Sequence, residues 1–90
     1  MAHPSHIKLK IERKPEVLAK LGLSRSTLAQ RIKDKLLPPP ISLGERAVGF
    51  IAHETDAVLA AMVAGYSKEQ IKTLVASLVA QRKNVMGVTA

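Results

Sequence analysis

Side chains that donate hydrogen bonds or carry positive charge are concentrated in a short segment just after Gly22. They are Ser24, Arg25, Ser26, Thr27, Gln30, Arg31 and Lys33. In duplex DNA, arginine can bind guanine and glutamine can bind adenine through paired hydrogen bonds, while hydroxyl groups meet phosphates or base edges. A helix that displays these side chains together has the chemistry to contact a DNA groove. A solvated surface helix has a similar composition, so the neighbouring elements must decide between the two interpretations.

The residues before this segment predict a short helix followed by a tight turn. Pro15 suits the first turn of a helix, and Glu16 beside it favours the positive helix end. The single apolar face of this helix would consist of Val17, Leu18 and Leu21. Gly22 can adopt the left-handed backbone that ends a helix, and Leu23 would pack beneath the turn.

A second helix is predicted to begin after Ser24, which is a good N-cap and could receive a phosphate together with the N–H groups behind it. On a helical wheel the inward face consists of Leu28, Ala29 and Ile32. The outward face consists of Ser26, Thr27, Gln30, Lys33 and Asp34, with Arg31 on its flank. Arg25 falls near the inward direction, but its place in the first turn lets the long side chain reach outward. Two helices joined by a glycine turn, with cations on the second, are the components of a helix-turn-helix DNA-binding motif.

A proline run and a predicted hairpin follow the second helix. The prolines at 38–40 cannot continue a helix and favour a stiff extended segment, so we expect the helix to end at this run. Segments 41–43 and 48–50 predict two short strands around the turn at 44–47. Arg46 would lie at the hairpin tip, where a cation can enter the minor groove, meet the phosphate backbone or simply face water. The alternation of Ile7, Leu9 and Ile11 predicts a short strand that can pair with this hairpin.

Two further helices are predicted in the C-terminal half. The first spans Glu54 to Ala64, begins at His53 or Thr55, is apolar nearly all round and is broken by Gly65. The second begins with the capping-box pattern Ser67-Lys68-Glu69-Gln70 and runs to about Lys83, which leaves 85–90 as a loose tail. Its apolar stripe consists of Ile71, Leu74, Val75, Leu78 and Val79. This stripe either closes the core of one chain or forms a homodimer seam, and the length of the helix slightly favours the seam.

The overall composition indicates one basic domain. The chain has 90 residues, a net charge of +7 and 47% apolar residues, which suffices for one modest core. This positive charge is typical of proteins that bind phosphates or anionic surfaces. The chain has no cysteine, which excludes disulfides and thiolate metal sites and fits a reducing cytoplasm. No secretory signal is visible, and the longest apolar run, 57–64, is far shorter than the roughly 20 residues of a membrane-spanning helix.

Catalytic and metal sites find little support in the sequence. His3 and His6 have a spacing found in metal sites, but no third ligand lies near them. His53 stands alone at a predicted helix start. No serine, aspartate or glutamate falls into the pattern of a catalytic triad or a carboxylate pair, and no glycine-rich phosphate loop occurs. We therefore expect no enzymatic activity, no metal and no cofactor.

Two motifs resemble the AlpA family, and the likeness covers residues 13–64. They are Gly22-Leu23-Ser24-Arg25-Ser26-Thr27-Leu28 and Pro40-Ile41-Ser42-Leu43-Gly44-Glu45-Arg46-Ala47-Val48-Gly49-Phe50. AlpA proteins are small prophage-linked transcriptional regulators with a MerR-like winged helix-turn-helix, in a broad group that includes phage excisionases. The resemblance implies that Ser24 to Lys33 is the recognition helix, that Leu43 to Gly49 is the wing, and that Arg46 is the wing arginine. It also implies a bacterial, nucleoid-associated protein that binds double-stranded DNA.

The chain departs from the family pattern at three points. Ala29 stands where an aromatic residue is usual, which removes a contact or packing residue from the recognition helix. Phe50 stands where a tryptophan is usual. The C-terminal helix, 67–83, extends beyond a typical short family member, so the resemblance assigns no role to it.

Together these patterns predict a mainly α fold with a small β-hairpin wing: a winged helix-turn-helix plus a C-terminal amphipathic helix. We expect an N-terminal arm or short strand at 1–12, a DNA-binding domain at 13–64, a C-terminal helix at 65–84 and a tail at 85–90. The predicted function is sequence-specific regulation of transcription in a prophage or genomic island. An excisionase, which would bend DNA for an integrase, has the same predicted fold. A helical adaptor that binds a protein through its fourth helix is a third hypothesis.

Overall fold

The computed structural model describes residues 9–86, with the backbone alone for 85 and 86. In chain order the elements are β1 (Ile11–Glu12), α1 (Lys14–Leu21), α2 (Arg25–Lys33), β2 (Ile41–Gly44), β3 (Ala47–Ile51), α3 (Ala52–Val63), α4 (Lys68–Ala80) and a 3₁₀ helix (Gln81–Met86). Ile7, at the start of the predicted N-terminal strand, and positions 87–90 of the predicted tail lie outside the described residues.

The helix-turn-helix forms where the sequence predicts it. Gly22 adopts a left-handed backbone with φ of 67°, and the N–H of Leu23 donates to the carbonyl of Leu18 at 3.1 Å. The Oγ of Ser24 accepts a hydrogen bond from the N–H of Thr27 at 3.2 Å, so Ser24 is the predicted N-cap. A glycine turn of this kind closes the last carbonyls of α1 and redirects the chain into α2 within three residues.

Helix α2 ends before the proline run, not at it. Lys35 takes a left-handed backbone with φ of 67°. The N–H of Leu36 donates to the carbonyl of Arg31 at 2.8 Å, and the N–H of Lys35 donates to that of Ile32 at 3.1 Å. This pair of bonds is a Schellman ending, which usually has glycine at the left-handed position. The expectation that the prolines end the helix is wrong because a lysine adopts that conformation first.

The three strands form one antiparallel sheet in the order β1-β3-β2. Ile11 pairs with Ile51, which confirms that the N-terminal segment joins the hairpin. Gly49 in β3 allows the close approach of its neighbours, because a Cβ there would collide with the Ile11 side chain and lie 3.0 Å from Cδ1 of Leu43. The sheet thus fixes the hairpin against the rest of the domain.

Helix α3 begins two residues earlier than predicted and without a side-chain cap. It follows β3 directly, and the N–H of Ala52 donates to the carbonyl of Lys10 in the chain segment leading into β1 at 2.8 Å. The strand pairing therefore satisfies a helix N–H that a cap would otherwise have to satisfy. His53 is exposed and caps nothing, so its predicted role at the helix start is wrong. Gly65, with φ of 83°, ends the helix as predicted.

Helix α4 begins with the predicted capping box. The N–H of Gln70 donates to the Oγ of Ser67 at 3.2 Å, and the N–H of Ser67 donates to the Oε1 of Gln70 at 2.8 Å. The α-helix ends at Ala80, and the chain continues as a 3₁₀ helix to Met86. The predicted end at about Lys83 therefore falls inside the 3₁₀ helix, three residues after the α-helix ends and three before the helical segment ends, so the predicted tail begins within that 3₁₀ helix.

A single apolar core joins all four helices to the sheet. It consists of Val17, Leu28, Leu37, Phe50, Val58, Ala61, Ile71, Val75 and Leu78. The three α4 members of this core are buried within one chain, and Leu74 and Val79 are half-buried beside them. The slight preference for a homodimer seam is therefore wrong for the buried part of the stripe, because the other core residues of the same chain, including Val58 and Ala61 of α3, cover it.

This architecture is a winged helix-turn-helix with a C-terminal helix packed onto it. Within residues 9–86, no helix combines the length and the apolar character that crossing a bilayer requires.

Candidate nucleic-acid interface

The outward side of α2 is polar and open to solvent. Arg25, Ser26, Gln30 and Lys33 are exposed, and Ser24 is exposed at the helix start. The hydroxyl of Ser24 also donates to the Oγ1 of Thr27 at 2.9 Å. Its capping bonds leave the first-turn N–H groups of Arg25 and Ser26 pointing away from the helix, as at any helix start. This end of α2 therefore combines hydroxyls, amide hydrogens and a cation.

The predicted inward position of Ala29 is wrong, because Ala29 is exposed. Leu28 is buried and Ile32 is half-buried, so the core contacts only that narrow strip of the helix. Ala29 lies instead on the flank facing the hairpin, where a crevice of about 110 Å³ is also lined by Lys14, Arg25 and Val48. The small Ala29 side chain projects little from this flank of α2, next to the hairpin.

The amide of Gln30 is engaged within its own helix. Its Nε2 donates to both carboxylate oxygens of Asp34, at 3.0 and 3.2 Å. Both residues are exposed, so water or a base edge can replace the carboxylate as partner.

Arg31 lies on the opposite flank from Ala29 and is half-buried. Its Nη1 is 3.9 Å from the Sδ of Met62 on α3. A groove of about 550 Å³ separates this flank from the start of α4, and Lys68 lines it together with Arg31 and Thr27. A DNA strand running beside α2 would meet both cations here. Lys68 was missed from sequence because only the fold brings α4 next to α2.

Arg46 occupies the tip of the β2–β3 hairpin and is exposed. Its backbone is left-handed, with φ of 59°. That conformation costs a non-glycine residue about 1–2 kcal/mol, and glycine or asparagine would relieve the cost. Such strain in an exposed turn favours a function for the side chain.

Two other cations hold the fold together. The Nζ of Lys20 contacts Oε2 of Glu12 at 2.8 Å and Oδ1 of Asp56 at 2.5 Å, and donates to Oγ1 of Thr55 at 2.9 Å. Burial alone would lower the pKa of Lys20, but the hydrogen bonds and charges of Asp56 and Glu12 outweigh it, so this pKa is raised. Glu12 is buried, so the cluster ties β1, α1 and α3 together.

Arg82 forms a two-pronged ion pair with the buried Glu54. Its Nε donates to Oε2 at 2.8 Å and its Nη2 to Oε1 at 2.6 Å, while Nη2 also donates to the carbonyl of Pro39 at 2.8 Å. The hydrogen bonds to Glu54 raise the pKa of Arg82 despite partial burial. The C-terminal 3₁₀ helix is thereby fixed to α3 and to the proline segment that leads into the wing.

Metal-binding side chains do not gather in the part of the chain that the structure describes. Between residues 9 and 86, no group of three or more histidine, cysteine, aspartate or glutamate side chains could hold a metal ion. His3 and His6 lie outside the described residues.

Residues 10–60 match the sequence profile of the prophage CP4-57 regulatory protein family, AlpA. The chain belongs to the AlpA family. The matched region contains both helices of the helix-turn-helix, the hairpin and most of α3. Helix α4, which completes the core, and Arg82, which pairs with Glu54, lie beyond it.

The chain is also 42% identical over 53 residues to the uncharacterized protein ORF88 of Enterobacteria phage P4. The aligned region is 59% of this chain and 60% of that relative, so the match spans less than two thirds of the relative's length. No solved structure matches this AlpA protein significantly.

Proposed function

We propose that this AlpA protein binds double-stranded DNA in a sequence-specific way and regulates transcription in a bacterial prophage or genomic island. Helix α2 would enter the major groove and the β2–β3 hairpin would contact the backbone or the adjacent minor groove. The contacting residues in this proposal are Ser24, Arg25, Ser26, Thr27, Gln30, Arg31, Lys33 and Arg46. The protein would act in the cytoplasm at the nucleoid, without enzymatic chemistry and without a cofactor.

One observation carries the proposal: cations without an acidic partner cluster on α2 and the neighbouring hairpin. Arg25, Lys33 and Arg46 are exposed, and none takes part in an ion pair among the described residues. Arg25 and the hairpin residue Val48 line the same crevice, so the two elements are adjacent. A helix and a wing that present unpaired positive charge side by side suit the phosphate-lined walls of a groove.

Some of these residues are proposed to contact base edges and others the DNA backbone. Gln30 lies in the middle of the exposed side of α2 and is proposed to contact a base edge. Arg31 sits on the flank beside Lys68, which suits a phosphate. Arg46, at the tip of an exposed hairpin, is proposed to contact the backbone or minor groove, where a cation is attracted without reading one base.

The experiment is selection of bound duplexes from a random library, followed by affinity measurements over a range of salt concentrations. Gln30→Ala should weaken binding to the selected duplex by about 1–3 kcal/mol and leave binding to an unrelated duplex unchanged. Arg46→Ala should weaken binding to both duplexes and make the salt dependence shallower by about one phosphate contact. Lys83→Ala, which removes the same charge from the exposed 3₁₀ segment, is the matched control and should bind like wild type.

Enrichment of no sequence would contradict a sequence-specific protein, and absence of duplex binding at low salt would favour the helical adaptor. An excisionase would also bind DNA, but it would bend the selected site and promote excision by an integrase. A bending assay on that site, with a transcription reporter beside it, separates the two roles.

A further inference from the structure

A second groove lies on the molecule between the end of α2 and the exposed side of α4. It has a volume of about 830 Å³. Its apolar lining includes Leu37, Ala76 and Val79. Its cations are Lys35 and Lys72, together with Lys33 at its edge, which the proposed DNA-binding surface shares. The AlpA profile ends before α4, so one wall of this groove is a feature that the family match does not cover.

The charge around the groove is one-sided. No described residue that lines it is acidic. Two carboxylates lie close by: the Oε2 of Glu69 is 3.8 Å from the Nζ of Lys72, in a largely exposed pair, and Asp34 stands between Lys33 and Lys35 in sequence. Asp34 accepts hydrogen bonds from the uncharged Gln30 amide and keeps its charge, so the two carboxylates offset the three lysines only in part. The lysines therefore give the groove a net positive charge.

Lys35 occupies one of two positions where a described non-glycine residue has positive φ; the other is Arg46. Glycine is the usual residue at such a helix ending. A lysine at that position places a cation next to the groove at a cost in backbone strain. The same arrangement, a strained cation at an exposed turn, occurs in the proposed DNA-contacting wing.

We propose that this groove binds an amphipathic, acidic helical segment of a partner protein. The apolar strip of such a helix would lie on Ala76 and Val79, and its acidic flanks would face Lys35 and Lys72. The positive groove disfavours a second copy of this chain, whose net charge is +7, because like charges would meet. It also fits DNA poorly, since a phosphate backbone gains nothing from an apolar floor.

The test uses the full chain and a fluorescent synthetic peptide about five helical turns long, with leucines at helical spacing and glutamates flanking them. Two control peptides carry the same residues in scrambled order and lysine in place of glutamate. Binding is followed by fluorescence anisotropy. Wild type should bind the first peptide and should bind each control peptide at least about tenfold more weakly.

Neighbouring residues on α4 supply a matched pair of variants. Ala76 is exposed and lines the groove, whereas Ser77 is exposed and lines a different surface with Tyr66 and Gln70. Ala76→Arg should weaken peptide binding about tenfold or more, because the long side chain blocks the apolar floor and this outweighs the attraction of its charge for the glutamates. Ser77→Arg adds the same charge outside the groove and should not weaken binding. Lys35→Gly removes a positive charge and the backbone strain together. It should also lower the affinity for the peptide while keeping the fold, so it provides a second test if Ala76→Arg misfolds.

The remaining outcomes identify other occupants or overturn the proposal. No binding by wild type, equal binding of the scrambled peptide, or equal loss in Ser77→Arg would overturn it. A wild-type dimer in sedimentation that Ala76→Arg dissociates would assign the groove to a second copy. Displacement of the peptide by duplex, with equal loss of duplex affinity in Lys35→Gly, would assign it to DNA. Duplex affinity of Ala76→Arg should match wild type, so failure here is distinct from failure of the proposed DNA binding.

Discussion

The cations of this AlpA protein differ sharply between two regions of the molecule. Where α4 and the 3₁₀ helix pack onto α3, Arg82 is paired with a buried carboxylate, and Lys20 is held in the same way between α1 and α3. On α2 and the hairpin, Arg25, Lys33 and Arg46 face solvent without an ion-pair partner among the described residues. The difference separates charge that stabilises the fold from charge available to a ligand.

Net charge alone does not reveal this division. A net charge of +7 is typical of proteins with anionic partners, but the two cations paired with buried carboxylates, Lys20 and Arg82, stabilise the fold. Substitutions in the two regions should therefore affect different measurements. The first three predictions concern the paired region and stability, and the fourth concerns the wing.

The largest effect is expected from Leu78→Glu in α4. Leu78 is 9% exposed and belongs to the core, so the variant buries a charge without a partner, which costs several kcal/mol or forces the site open. Circular dichroism should show an unfolded domain. Ser77→Glu, one residue away and exposed, should remain folded. A folded, monomeric Leu78→Glu protein derived from a dimeric wild type would instead restore the dimer-seam hypothesis.

Arg82→Met should lower the free energy of unfolding by about 3 kcal/mol, because it leaves Glu54 charged and buried without its partner. Glu54 has a side chain that is only 2% exposed. Chemical denaturation measures the effect, and Lys83→Met is the control for loss of a neighbouring charge. Adding Glu54→Gln to Arg82→Met should recover part of the loss. An Arg82→Met protein as stable as the Lys83 control would show that the ion pair does not secure the C-terminal segment.

Lys20→Met should cost about 2 kcal/mol, since it removes the cation that compensates the buried Glu12. The folded-state pKa of Lys20 is raised, so its contribution is complete below the unfolded pKa of about 10.4 and is lost as pH rises through the folded pKa. The difference in unfolding free energy between wild type and variant should therefore stay constant through neutral pH and shrink only in strong alkali. A difference that already disappears near neutral pH would contradict this assignment.

Arg46→Gly should have the smallest effect on stability. Unlike the substitutions of the paired cations, it should affect DNA binding and not the fold. Glycine adopts a positive φ without the strain that arginine has at the hairpin tip. The variant should therefore be as stable as wild type, or more stable by up to about 1 kcal/mol. Its affinity for duplex DNA should nevertheless fall. Thermal unfolding and duplex titration check the two halves separately. Full duplex affinity in this variant would remove the wing from the interface.

The elements that the sequence predicted correctly are those with local signals. Gly22 with Ser24, and Ser67 with Gln70, act through hydrogen bonds that span a few residues, so propensity and capping rules suffice to find them. The β2–β3 hairpin has the same advantage, because its strands are close in sequence. Most of the candidate contact residues could be proposed from the sequence for the same reason, since they lie on one helix and one turn.

The errors arise where distant residues or unusual backbone decide the outcome. Glu54 was predicted only as the first residue of a helix, and no local pattern indicates that its carboxylate is buried and paired with Arg82, 28 residues later. Helix α3 needed no side-chain cap because the carbonyl of Lys10, just before β1, supplied the acceptor for the N–H of Ala52. Lys35 ended α2 in a conformation that its residue type disfavours. Ala29 was placed inward because a wheel drawn for one helix contains no information about where the hairpin packs.

The central claim is that α2 and the hairpin form the DNA-binding surface, and an amide chemical-shift map of the folded chain with its selected duplex tests it most directly. The largest shifts should fall at Ser24 to Lys33 and Leu43 to Gly49, and the exposed side of α4 around Ala76 should stay unperturbed. Shifts concentrated on α4, with α2 and the hairpin unchanged, would contradict it.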